Sequence, residues 1–117
     1  MPFVNYMLST RVTEETAVRL KEQTADLVRQ HTGKDEQWLF VRFAREQLSY
    51  FKGSKVENGG VVEVKLVGSL TTASKREIVR GISRLLAKEL GIQADSLYVI
   101  FTEVKAEDWG WNNGTFG

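Results

Sequence analysis

Two stretches, GKDEQWLFVRF at residues 33–43 and GIQADSLYVIF at residues 91–101, share a glycine followed by Leu, an aromatic, Val and Phe at the same offsets. They lie 58 residues apart in a chain of 117, so the offset is about half the sequence. Self-similarity at a fixed period marks a duplicated structural unit. Carried upstream, the same offset pairs Thr13 with Thr71, Leu20 with Ile78, Leu27 with Leu85 and Val28 with Leu86. It also sets the run from Phe3 to Leu8 against Val61 to Val67. The chain reads as a single domain, 1–117, made of pseudo-repeats at about 1–58 and 59–105 and a tail at 106–117.

Each repeat opens on a strand: FVNYML is β-branched and aromatic, and VVEVKLV alternates Val62, Val64 and Leu66 with Glu63 and Lys65. A helix follows. Thr13 ahead of Glu14 and Glu15 predicts an N-cap with acids at the positive helix end, and Ser74 with Glu77 predicts a capping box near Thr71. Leu20, Thr24, Leu27 and Val28, like Ile78, Ile82, Leu85 and Leu86, fall at helical spacing. Gly33 and Gly91 are the predicted stops, since a left-handed residue after the last turn suits glycine. A second strand after each glycine completes β-α-β twice, and right-handed crossovers put both helices on one face of the sheet. The expected class is α+β, a ferredoxin-like β-α-β-β-α-β plan.

The other face of that sheet is unusual. If Leu39, Val41, Phe43, Leu97, Val99 and Phe101 meet the helices, then Trp38, Phe40, Tyr98 and Ile100 point away from them. That is more apolar surface than a solvated face carries, so copies of the same chain are expected to cover it in a ring, with Arg42, Glu63 and Lys65 at its wetter parts. The tail AEDWGWNNGTFG carries two Trp and a Phe, and Asn113-Gly114 between Trp111 and Phe116 predicts a terminal hairpin over a neighbouring subunit or a pocket.

Composition removes several function classes. Sixteen Lys and Arg against fifteen Asp and Glu leave a net charge of +1, too little for the field that nonspecific nucleic-acid binding uses. There is no Cys and one His, His31, which argues against a metal centre, a thiol nucleophile or a Ser-His-Asp triad. No apolar run approaches the roughly 20 residues of a membrane span, and no signal-peptide pattern opens the chain. A cytoplasmic protein is expected. The one proline is Pro2, where loss of Met1 would turn an inert imide into a secondary amine able to exchange a proton.

The Met-Pro start, TGK at 32–34, FKGS at 51–54, LVGSL at 66–70, LYV at 97–99 and GWNNGTF at 110–116 resemble the macrophage migration inhibitory factor (MIF) branch of the tautomerase superfamily along essentially the whole chain. The resemblance implies a homotrimer with an active site at each subunit interface and no cofactor or metal. Pro2 matches the family's catalytic base. A free amine starts near pKa ~8, and burial among Phe3, Val67, Trp111 and Phe116 together with a nearby Lys34 ammonium would lower it. Lys34 matches the lysine that pairs with the substrate carboxylate, and Val67 the residue whose backbone N–H contacts substrate. Tyr98 matches a tyrosine delivered from the adjacent subunit, Trp38 a rim aromatic, and Trp109, Trp111 and Phe116 the wall. The implied reaction is a 1,3 proton shift on the enol of an aromatic α-keto acid such as phenylpyruvate.

The sequence also departs from the pattern. Ile100 stands where active members commonly have asparagine, Trp109 replaces a smaller residue, and the cysteine pair some members use for thiol chemistry is missing, with Gly59 and Val62 near those places. Animal members of the family also act as secreted signalling proteins without a signal peptide. A receptor-binding role is therefore the alternative function, and the stripe Arg76, Arg80, Arg84 and Lys88 on the second helix is its candidate surface.

Overall fold

The computed structural model describes residues 1–117. Pro2–Leu8 form strand β1, Glu14–Thr32 helix α1 and Phe40–Ala44 strand β2; Gly60–Val67 form β5, Thr72–Leu90 α2 and Leu97–Val104 β6. Two short hairpins complete the chain: β3 (Tyr50–Phe51) with β4 (Ser54–Lys55), and β7 (Gly110–Trp111) with β8 (Gly114–Thr115). The four long strands make one mixed sheet in the order β2-β1-β5-β6, so the two strands of each β-α-β unit lie side by side.

The duplication is visible in the register. Phe3 lies opposite Phe40 and Val4 opposite Val41 in the parallel β1–β2 pair; 58 residues on, Val61 lies opposite Tyr98 and Val62 opposite Val99 in β5–β6. The repeats meet along antiparallel β1–β5, where Asn5 lies opposite Glu63, its own repeat mate. Helix ends repeat as well. Thr13 and Thr71 accept the amides of Thr16 and Ser74, and Gly33 and Gly91 close the helices at φ 71° and 68°.

Ser74 and Glu77 do not form a capping box: Thr71 is the cap, Ser74 sits inside the helix, and Glu77 pairs with Arg80 one turn on. The threonine hydroxyl reaches the free amide first, and the nearby guanidinium takes the carboxylate.

Val4, Tyr6 and Leu8 of β1, Val62, Val64 and Leu66 of β5, and Leu20, Val28, Ile78, Ile82, Leu85 and Leu86 of the helices form the core, so both helices pack on one face. Leu39, Val41, Phe43, Val99 and Phe101 border it. Inside it, Thr24 Oγ1 donates to the Leu20 carbonyl at 2.7 Å, which leaves its lone pair to accept the Tyr6 hydroxyl at 2.6 Å. Burial holds the Tyr6 phenol well above the usual range, so it stays protonated. On the opposite face Phe40 is 66%, Tyr98 56% and Ile100 49% exposed. A single chain leaves that face uncovered.

The turns of the two hairpins are set by left-handed residues. Lys52 and Gly53 (φ 56° and 77°) turn β3 into β4, a hairpin the strand pattern did not announce because each strand is two residues long. In the tail, Asn112 and Asn113 (φ 50° and 68°) take the turn, one residue earlier than Asn113-Gly114. Asparagine tolerates this conformation, and the earlier turn lets Trp111 lie opposite Gly114.

Candidate active site

The start of β1 opens into a cleft of about 590 Å³. Pro2 is buried at its base, between the strand and the C-terminal hairpin. The hairpin is the wall: Trp111 and Phe116 are stacked at 6.2 Å, Trp38 meets them edge-on at 5.1 and 6.1 Å, and the Phe116 amide donates to the Trp109 carbonyl at 3.2 Å. The tail therefore covers a pocket. Phe3 faces Phe40 edge-to-face at 5.6 Å on the sheet side.

Polar groups converge on the same end of β1. The Val67 N–H donates to the Met1 carbonyl at 3.2 Å. The Lys34 side chain lies against the Met1 amine, and that amine is held below the ordinary terminal value first by burial, then by the charge and hydrogen bonding of Lys34. With Met1 in place, the ionisable nitrogen is that of Met1, and the Pro2 nitrogen is an imide without a proton.

Of the residues singled out from sequence, Pro2, Phe3, Trp38, Trp109, Trp111 and Phe116 line this one cleft; Lys34 and Val67 are outside its lining and meet it through Met1. Tyr98 is elsewhere. It sits on edge strand β6, packed against Phe51 at 4.9 Å, and through Val61 it is in line with Met7, the far end of β1 from Pro2. Two strand spacings and five residues along the strand put it roughly 20 Å from Pro2, so it cannot serve the cleft of its own chain. Ile100, on the same face, stays with it.

Gln37, Leu39, Phe40 and Arg42 also line the cleft, and the sequence reading assigned none of them to a site. The repeat held the signal for two: Phe40 and Arg42 are the mates of Tyr98 and Ile100 at the offset of 58. No cluster of three or more His, Cys, Asp or Glu side chains is placed to hold a metal ion.

A duplicated β-α-β unit whose first strand begins in an aromatic cleft is the architecture of the tautomerase superfamily. Known proteins narrow this further: the family model described as macrophage migration inhibitory factor (MIF) matches residues 1–117. The macrophage migration inhibitory factor of Meriones unguiculatus is 32% identical over 97 residues, 83% of each chain. Among solved structures, Leishmania major MIF2 superposes with a TM-score of 0.90 at 25% identity, over 99% of this chain and 97% of that one. The homologue from Prochlorococcus marinus gives 0.84 at 26% identity, over 98% and 99%. The chain belongs to the MIF family.

Proposed function

We propose that, once Met1 is removed, the protein is a tautomerase that interconverts the enol and keto forms of aromatic α-keto acids such as phenylpyruvate, with Pro2 as acid and base. The observation that carries this reading is the Val67–Met1 contact beside Lys34. The Met1 carbonyl stands in for a substrate oxygen: removing Met1 frees both the Val67 N–H and the Pro2 amine at one point, next to a cation. A carboxylate there would accept from Val67 and pair with Lys34, while the aromatic wall holds the ring.

The proton balance closes within the site. Neutral Pro2 takes the enol O–H proton as the carbonyl forms, and the prolinium returns that proton to the adjacent carbon, so the amine ends as it began. Nothing else is consumed. The environment that depresses the Met1 amine would act on a Pro2 amine at the same place, keeping more of it in the basic form.

The exposed outer face supports assembly. A homotrimer in which Tyr98 of an adjoining copy reaches the Pro2 end of the cleft would bury Phe40, Tyr98 and Ile100 and explain why Tyr98 stands far from its own cleft. Residues 1–117 act as one such domain in this reading.

The test is the decay of phenylpyruvate enol absorbance with protein whose intact mass confirms loss of Met1, beside Pro2→Ala. Turnover lost in the variant supports the reading. A processed wild type without turnover removes it and leaves a protein-interaction role. That second reading rests on α2, where Arg80 pairs with Glu77 but Arg76, Arg84 and Lys88 form no ion pair. No helix is long and apolar enough to cross a membrane. A cytoplasmic site of action accompanies the enzymatic reading, and export accompanies the interaction reading.

A further inference from the structure

We infer that Arg42 is a specificity-determining residue that selects substrates carrying a second anionic group at the end remote from the reacting keto acid. The inference rests on the tautomerase reading of the cleft and names the substrate class within it.

Arg42 lies on β2 in the wall of the same cleft as Pro2, Trp109, Trp111 and Phe116. Its guanidinium is fixed from two directions. Nε donates to Asn5 Oδ1 at 3.1 Å, and Asn5, only 1% exposed, is itself held by donating Nδ2 to Glu63 Oε1 at 3.0 Å. The guanidinium carbon lies 5.8 Å from the centre of the Phe3 ring, within cation–π range. Held at Nε, the side chain has its two terminal nitrogens left over within its own chain: the single hydrogen bond Arg42 makes there is the one from Nε, which leaves the fork open to the cleft it lines. A preset, uncommitted fork of N–H donors is what binds a carboxylate in bidentate fashion, and it needs little further ordering to do so.

A second cation, Lys34, lies beside Met1 at the other end. Arg42 is level with Asn5, three residues along β1 from Pro2, or about 10 Å. A keto acid whose carboxylate sits at Lys34 and Val67 would extend its ring between the aromatic walls and bring a para substituent toward Arg42. A neutral ring such as that of phenylpyruvate leaves this fork unused. An arylpyruvate bearing an acidic group on the ring engages both ends.

The test compares matched acids. Turnover is measured on phenylpyruvate and 4-carboxyphenylpyruvate, and binding on phenylacetate and 4-carboxyphenylacetate through quenching of the cleft tryptophans, for processed wild type, Arg42→Met and Arg42→Lys. Wild type is expected to favour the diacid in KM and in Kd by roughly tenfold or more. Arg42→Met collapses that ratio to about one, and Arg42→Lys, which keeps the charge but loses the fork, falls between. Equal affinity of wild type for the two acids, or a ratio that survives Arg42→Met, overturns the inference. Circular dichroism and sedimentation confirm that each variant is folded and assembled; if Arg42→Met is not, the wild-type and Arg42→Lys ratios decide. The binding arm needs no turnover, so a protein that binds the diacid through Arg42 without catalysis refutes the tautomerase reading and leaves the anion site standing.

Discussion

Pro2, Lys34 and Val67 come together because β1 begins opposite the end of β5, and the residue after the stop of α1 reaches the Met1 amine. The Met1 amine there is depressed, with burial ahead of Lys34 as the cause. If processed Pro2 is the base, as proposed, the neutral amine is the active form, so kcat/KM should rise as pH passes its pKa. Lys34→Met removes a like charge, which raises that pKa. The acid limb of the pH–rate profile should therefore move to higher pH in Lys34→Met, with KM raised as well; a limb that stays in place would mean that the amine does not titrate beside Lys34. The sign for stability follows from the same shift. Folded, the Met1 amine binds a proton less readily than unfolded, so with Met1 retained its contribution is complete above the ordinary terminal-amine value. It declines as pH falls through the depressed one. Acid-side urea midpoints of the Met1-retaining protein and its Lys34→Met variant measure this, and the variant should lose less.

At the scale of elements, the Tyr6–Thr24–Leu20 chain ties β1 to α1 within the core. Thr24→Val leaves the buried Tyr6 hydroxyl without a partner, whereas Tyr6→Phe leaves Thr24 still bonded to the Leu20 carbonyl. Urea unfolding should show Thr24→Val destabilised by about 1–3 kcal/mol and Tyr6→Phe by less. Where β5 begins, Gly60 has φ 156°, and a Cβ there would stand 2.1 Å from the Met7 carbonyl oxygen. Gly60→Ala should cost roughly 2–4 kcal/mol in the same measurement, because strain and a clash with backbone add. These elements were largely legible: the offset of 58 gave both helices and their glycine stops, and local pattern gave the Thr13 cap and the inward sets of β2, β5 and β6. The β3–β4 hairpin was not, since two-residue strands show no alternation, and the Ser74–Glu77 box failed because a better-placed hydroxyl stood at Thr71.

For the whole molecule, the exposed Phe40, Tyr98 and Ile100 decide what a single chain lacks. Sedimentation should give three times the 13.3 kDa chain mass, and Ile100→Asp should return it toward one. If Tyr98 serves the cleft of a neighbour, Pro2→Ala and Tyr98→Ala chains refolded together should regain turnover that neither has alone. Mixed trimers would contain interfaces where an intact Pro2 meets an intact Tyr98. No gain on mixing would place Tyr98 outside the site.

The sequence by itself determined the duplicated β-α-β plan, whereas an aromatic wall beside Pro2 was an implication of the family resemblance. The plan is written in local periodicity, in helix-ending glycines and in a repeat at fixed offset. Which residues share a cavity was decided by the tertiary structure alone. Strand register put Arg42 level with Asn5 and Glu63, the folded-back hairpin brought Trp111 and Phe116 to Trp38, and the sheet order carried Tyr98 away from Pro2. These are contacts between residues tens of positions apart, fixed by strand pairing and by the packing of two helices on one face. No spacing within a single segment encodes them.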